Sequence, residues 1–265
     1  PNDLLEKGHI DYICREAINK YGVDPIIAVK AACHHASRYF LLNNRGAIAP
    51  GYLADFAIID NFRNFNVEMV FKKGELYYND GKLKDFPAPA IEEYLDERAH
   101  DTFHVRHLTK SDFEDVRQRG VIGMIPGEIV STDNGYADHV DLQKDILKIA
   151  VVERHKNTGH IGLGYIQGYG LKSGAVATSI SHDSHNIIVV GTNAEDMAFA
   201  ANYIVENHGG IVVVDGGKVL ASVVLEIAGI MSDEPLTKMN EELEAAKDRF
   251  FAKFSGAQIV FLSTS

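Results

Sequence analysis

The chain is poor in cysteine and lacks the motifs that cysteine-based sites require. Its 265 residues contain two cysteines, Cys14 and Cys33, and both fall within predicted helices without a CxxC pair. This usage argues against a structural zinc site and indicates a reducing compartment, so we expect a cytoplasmic protein. The HxE and PCxxC motifs of the zinc-dependent cytidine-type deaminases are also absent, which excludes that class.

Long apolar runs and an excess of positive charge are missing as well. No stretch is as long as a membrane span, and no signal peptide precedes the first predicted helix, so we expect no membrane partner. The formal net charge is −11, and an acidic surface repels the phosphate backbone of nucleic acids. We therefore expect no nucleic-acid partner.

The order of the segments predicts an α/β fold of the mixed α+β type. Residues 1–45 show helical spacing and predict two helices, the second of which begins at Asp24-Pro25. Residues 46–86 predict a small β unit, and residues 87–116 predict a linker with some helix. Residues 117–265 predict a domain of strands and two helices.

In this last part, short apolar runs bounded by glycine predict the strands, and apolar residues at helical spacing predict the helices. The predicted strands cover residues 121–125, 128–132, 146–154, 161–166, 174–179, 187–191, 211–214 and 218–226, and the predicted helices cover about 194–208 and 236–254.

Both ends of the chain look cut. The sequence opens at Pro1 without a methionine and runs directly into a helix. It closes on an apolar strand, Ile259–Leu262, with three small polar residues after it. We expect a fragment of a longer protein.

Two adjoining segments resemble the amidohydrolase superfamily. Gly46-Ala47-Ile48-Ala49-Pro50-Gly51-Tyr52-Leu53-Ala54-Asp55-Phe56 resembles the stretch where such chains leave the last barrel helix and enter a small β-sandwich. The preceding helix, Pro25 to Ala36, resembles that last barrel helix, although Cys33-His34-His35 stands where many relatives have threonine and asparagine. The resemblance implies terminal helices of a TIM-type barrel followed by a β-sandwich piece.

A narrower resemblance covers almost the whole chain. The strings Asn2 to Arg15, Glu153 to Gly159, Gly164 to Leu171 and Gly174 to Asn186 are similar to bacterial adenine deaminases, as are Gly209-Gly210 and Asp215-Gly216-Gly217-Lys218. The resemblance implies a C-terminal α/β domain and a homo-oligomer that converts adenine and water to hypoxanthine and ammonia. It also implies a manganese or iron centre, with its ligand-bearing barrel strands outside this chain and a metal-binding aspartate just before Pro1.

The loop His182-Asp183-Ser184-His185-Asn186 is the densest group of chemically active side chains. Three interpretations stay open. His182 and His185 could bind a metal with further ligands from elsewhere, the loop could line an active site, or its Asp and Asn could satisfy buried backbone groups. His155 is a further candidate for the active-site lining, against a plain role in a polar loop.

Three functions follow from these patterns. The first is a fragment of adenine deaminase that is inactive without its barrel. The second is a non-catalytic module for oligomerisation or regulation. The third is a self-contained metal hydrolase built on His182, Asp183 and His185.

Overall fold

The fold was analysed in a computed structural model that describes residues 2–85, 90–114, 117–125, 128, 130–181 and 183–253. The chain forms two compact units, residues 1–90 and residues 91–265. Helices and sheets occur in both units, which confirms the mixed α+β class. The predicted strand at 259–262 lies outside the described residues.

The first unit begins with four short helices rather than the two predicted. They are α1 (Asn2–Glu6), α2 (Ile10–Asn19), α3 (Pro25–Lys30) and α4 (Ala36–Tyr39), with a π-helical turn, Ala31–His35, between the last two. Gly8 separates α1 from α2 because it takes a φ of +101°, which is left-handed backbone that glycine adopts readily. Asp24 caps α3 as expected, since its carboxylate accepts the N–H groups of Ile26 and Ile27 at 2.9 and 3.1 Å.

The β part of the first unit is a four-stranded antiparallel sheet in sequence order. Its strands are β1 (Phe56–Ile59), β2 (Val67–Lys72), β3 (Glu75–Asn79) and β4 (Lys82–Leu83). Gly51 takes a φ of +84° in the predicted turn, which confirms its role after Pro50. Asp55 anchors the start of β1, because its carboxylate accepts the N–H of Lys73 at 2.8 Å and pairs with the guanidinium of Arg45.

The second unit is organised around an eight-stranded sheet. Its strands are β5 (Arg119–Met124), β6 (Ser131–Ala137), β7 (Ile146–Val152), β8 (Ile161–Gln167), β9 (Ala175–Thr178), β10 (Ile187–Gly191), β11 (Gly210–Asp215) and β12 (Lys218–Val224). Their spatial order is β12-β11-β9-β10-β7-β8-β5-β6, and among these neighbours β5 and β8 are parallel while the other pairs are antiparallel. The strand predicted at 128–132 is wrong in position, since β6 begins at Ser131 and continues to Ala137.

Both faces of this sheet are buried near its centre. Helix α6 (Ala194–Glu206) covers one face, where its buried Met197 and Ile204 pack with Ala177, Val189 and Val212. On the other face, Val176, Val190 and Val213 pack with Leu147 and Leu171. Helix α7 (Leu236–Lys253) packs on β12, where Ala246 lies beside Val223 and Leu225. The alternation along each strand therefore divides its apolar residues between two cores.

The segment expected to be a linker packs on the second unit. It contains α5 (Glu93–His100) and a 3₁₀ turn, Lys110–Asp112. Leu108 and Phe113 are almost fully buried in the core under α6. Asn202 of α6 holds this segment, because its side chain accepts the N–H of Leu108 and donates to the Leu108 carbonyl.

Within the described part of the chain, no helix is long and apolar enough to cross a membrane.

We predict that Met197→Ala lowers the free energy of unfolding of the second unit by about 2–5 kcal/mol, because it leaves a cavity between α6 and the sheet. Met197 is fully buried. Urea unfolding followed by far-UV circular dichroism measures the change. Phe199→Ala on the same helix is the matched control, since Phe199 is 39% exposed, and it should cost about 1 kcal/mol or less. Equal losses for the two variants would contradict this packing.

Candidate functional site

Several loops of the second unit meet at one end of its sheet. The register pairs Ile187 of β10 with Val152 of β7, and it pairs Thr178 of β9 with both Ile188 and Ile211. Three loops therefore leave the sheet at the same end of its strands: loops 153–160, 179–186 and 225–231. We call this end of the sheet, together with these three loops, the polar end of the sheet.

The structure brings the predicted residues His155, Asp183, His185 and Asn186 together at the polar end. The imidazole Nε2 of His155 lies 2.8 Å from the carbonyl oxygen of Ser184, which joins loop 153–160 to loop 179–186. Asp183 is exposed, while His185 and Asn186 are half-buried. The prediction for His182 lies outside the described residues.

His185 has an unusual backbone conformation. Its φ is +49°, a region that residues with a side chain adopt at a cost in free energy. Its N–H donates to the carbonyl oxygen of Ser181 at 2.6 Å, which closes the tight turn. The imidazole Nδ1 is buried and has no hydrogen-bond partner among the described residues. The turn therefore persists only because the surrounding structure fixes it.

Glu153 organises loop 153–160. Its carboxylate accepts the N–H groups of His155, Lys156 and Thr158 at 2.6, 2.9 and 3.1 Å, and also the Thr158 hydroxyl at 2.8 Å. Desolvation opposes ionisation, but these hydrogen bonds outweigh it and lower the pKa of Glu153 from 4.5 to about 2. Glu153 is therefore a carboxylate that holds the loop, with its acceptor oxygens already used.

Arg154 is the largest buried side chain of the polar end, at 2% exposed. Its Nε donates to the carbonyl oxygen of His185, and its Nη2 donates to that of Ala228 at 2.9 Å. Its Nη1 donates to the carbonyl oxygen and hydroxyl of Thr102 at 2.9 and 3.1 Å. Burial lowers the pKa of the guanidinium, but arginine stays charged in proteins.

Arg154 was not among the predicted site residues, although the sequence contains a signal for it. Ala150 and Val152 of β7 face the core under α6, and side chains two residues apart share a face of a strand. Arg154 lies two positions after Val152, so the alternation places its side chain on the same face. A buried arginine was therefore predictable from the alternation, whereas its partners were not.

A metal site is not formed by the described residues. Among them, no three His, Cys, Asp or Glu side chains converge to hold a metal ion. The described residues therefore form no site for the metal that the resemblance implies. Metal binding by His182 and His185 stays a prediction.

Two open concavities are lined by other residues. In the first unit, a concavity of about 890 Å³ is lined by side chains that include Asp11, Lys72 and Tyr78. In the second unit, a groove of about 560 Å³ runs between residues 107–110 and α6. Their linings contain none of the predicted site residues, so the polar end remains the candidate site.

Comparison with known proteins defines first the class and then the family. Residues 6–77 match the model of the amidohydrolase family, and residues 127–262 match that of the adenine deaminase C-terminal domain. Proteins named adenine deaminase from Kosmotoga olearia and Dehalococcoides mccartyi are each 40% identical to this chain, in alignments that cover 92% and 91% of it. One from Nitratidesulfovibrio vulgaris strain DP4 is 42% identical, in an alignment that covers 91% of the chain.

The chain belongs to the adenine deaminase family. It spans 43% of the length of each of these relatives.

We predict that the carboxyl carbon of Glu153, followed by ¹³C NMR, titrates with a midpoint near pH 2, because four donors favour the ionised form. The pKa in the folded state lies below the ordinary value of 4.5, so this stabilisation is complete above about pH 4.5 and is lost as the pH falls towards 2. Thr158→Val should raise the midpoint by removing the hydroxyl donor, and Glu153→Gln assigns the signal. A midpoint near 4.5 in the unmodified chain would contradict the described network.

Proposed function

We propose that this chain is the C-terminal part of a metal-dependent adenine deaminase, which hydrolyses adenine to hypoxanthine and ammonia. The two family matches follow one another along the chain and support this order of parts. The identity of about 40% extends over more than nine-tenths of the chain but over less than half of each relative. This coverage is the observation that carries the proposal.

The exposed apolar surface of the first unit supports the proposal that this unit is incomplete alone. Large apolar side chains are exposed on or just after α2, on α3 and after α4: Ile13, Tyr21, Ile27, Phe40 and Ile48 are 57–87% exposed. A set of large exposed apolar side chains within one unit supports an interface there. We assign residues 1–45 to the last helices of a barrel and residues 46–86 to its β-sandwich piece.

In the proposed enzyme, manganese or iron is bound by residues outside this chain. The described residues offer no group that fits the ion, so no chemical step is assigned to them. We place the part played by this chain at the polar end of the sheet, where His155, Asp183, His185 and Asn186 would line the approach of adenine. Their hydrogen-bonding groups suit a purine, which carries ring nitrogens and an amino group.

The same exposed apolar surface favours a second function, that of a non-catalytic oligomerisation module. A homo-oligomer is expected for the whole protein from the family resemblance. Size-exclusion chromatography with light scattering tests this function in the purified chain. A clean monomer would exclude self-association through this surface.

We predict that the purified chain does not deaminate adenine when Mn²⁺ is added, because the metal ligands lie elsewhere. The measurement is the change in ultraviolet absorbance as adenine becomes hypoxanthine. The longer protein that contains this chain, assayed at equal molar concentration, should turn adenine over. The absence of turnover by the longer protein would refute the proposed activity. Turnover by the chain alone, lost in His185→Ala, would instead support a self-contained metal hydrolase.

A further inference from the structure

We propose that Arg154 is a positioning residue, whose buried guanidinium sets the conformation of the His185–Asn186 turn at the polar end of the sheet. The catalytic consequence of this inference rests on the proposed function. The conformational consequence rests on the geometry of the second unit.

Three separate segments converge on the Arg154 side chain. Thr102 precedes the stretch that packs under α6, His185 belongs to loop 179–186, and Ala228 belongs to loop 225–231. The backbone carbonyl oxygen of each residue accepts a hydrogen bond from the guanidinium. The ring of Phe103 lies under the cation, with its centroid 4.2 Å from the Arg154 Cζ. A single side chain therefore ties segments that are 31 to 74 positions distant from it in the sequence.

The charge of Arg154 has no carboxylate partner in the described part of the chain. Its hydrogen bonds go to carbonyl oxygens and one hydroxyl. Because a buried cation is costly unless its donors are satisfied, the loops must keep their carbonyl groups pointed at it. The three carbonyl groups in turn lose their partner if the guanidinium is removed. This mutual requirement fixes the loops more strictly than an apolar contact would.

The contacts with His185 and Asn186 are the most specific. Arg154 binds the His185 carbonyl through Nε, and its own backbone N–H donates to the Asn186 Oδ1 at 3.4 Å. The turn also contains the left-handed backbone of His185. Arg154 thus supplies hydrogen bonds that offset the conformational cost of this turn. Without these hydrogen bonds, we expect the turn to populate other conformations.

The space around the guanidinium is matched to it. Gly229 follows Ala228, and a Cβ placed there would lie 3.0 Å from the Arg154 Nη2 and 2.8 Å from the ring of Phe103. The φ of Gly229 is +74°, so the position suits glycine for both reasons. The backbone of loop 225–231 therefore packs closely against the arginine side chain, and this packing requires glycine at position 229.

The first test compares Arg154→Met and Arg154→Lys with Asp196→Ala in the ¹⁵N-labelled chain. Asp196 is buried at the opposite end of the sheet, where it accepts the N–H groups of Gly216 and Gly217 at 3.2 and 2.8 Å, so its loss perturbs the same unit elsewhere. We expect Arg154→Met to shift or broaden the amide signals of residues 183–186, Arg154→Lys to do so less, and Asp196→Ala to leave them unchanged. Unchanged signals of residues 183–186 in folded Arg154→Met would overturn the inference. If Arg154→Met does not fold, the same signals are compared in Arg154→Lys, and unchanged signals there would overturn it.

The second test measures kinetics in the longer protein. We expect Arg154→Met to lower kcat/KM for adenine about 100-fold, since misplacement of a group by about 1 Å costs that much. Arg154→Lys should recover part of the loss, and Asp196→Ala should stay close to the unmodified value. Loss of activity in Asp196→Ala equal to that in Arg154→Met would reduce Arg154 to a general stabilising residue. If the unmodified longer protein does not act on adenine, the proposed function fails, while the NMR comparison still judges the positioning role.

Discussion

The second unit depends on one constraint, which is that a charged guanidinium lies inside it. Burying an unpaired charge would cost several kcal/mol, so each nitrogen of the Arg154 guanidinium must meet an acceptor. The acceptors come from Thr102, His185 and Ala228. The three segments that contain these residues are thereby held at fixed positions. Hydrogen bonds to one side chain connect them at the polar end of the sheet.

The close approach of the backbones beside Arg154 follows from the same constraint. A Cβ on Gly209 would lie 2.4 Å from the Gly229 Cα, so these two segments meet without any side chain between them. Ser179 bridges the same region, because its hydroxyl donates to the Gly229 carbonyl at 2.5 Å and accepts the Gly210 N–H at 2.8 Å. Ser179 is fully buried. Small residues are therefore needed where loop 225–231 approaches Gly209 and the guanidinium.

The elements of the second unit could be predicted from its sequence, but their arrangement could not. The short apolar runs of β9 to β11 and the helical spacing in α6 are local patterns, and the structure confirms those elements within a few residues. The parallel pairing of β5 with β8 depends on residues more than 40 positions apart, such as Val121 and Tyr165, and periodicity does not record which strands become neighbours. Likewise, Pro87-Ala88-Pro89 predicts a linker that follows it, whereas Leu108 and Phe113 are buried in the core under α6.

For the candidate site, too, the residues could be predicted from the sequence but their contacts could not. His155 and His185 could be named from the sequence because their chemistry is visible in it, but the hydrogen bonds that hold them come from distant segments. The second unit buries apolar residues on both faces of its central strands and satisfies its buried charge internally. The first unit, by contrast, leaves Ile13, Tyr21 and Ile48 in solvent. The exposed apolar side chains of the first unit therefore support our proposal that a further part of a longer protein covers them.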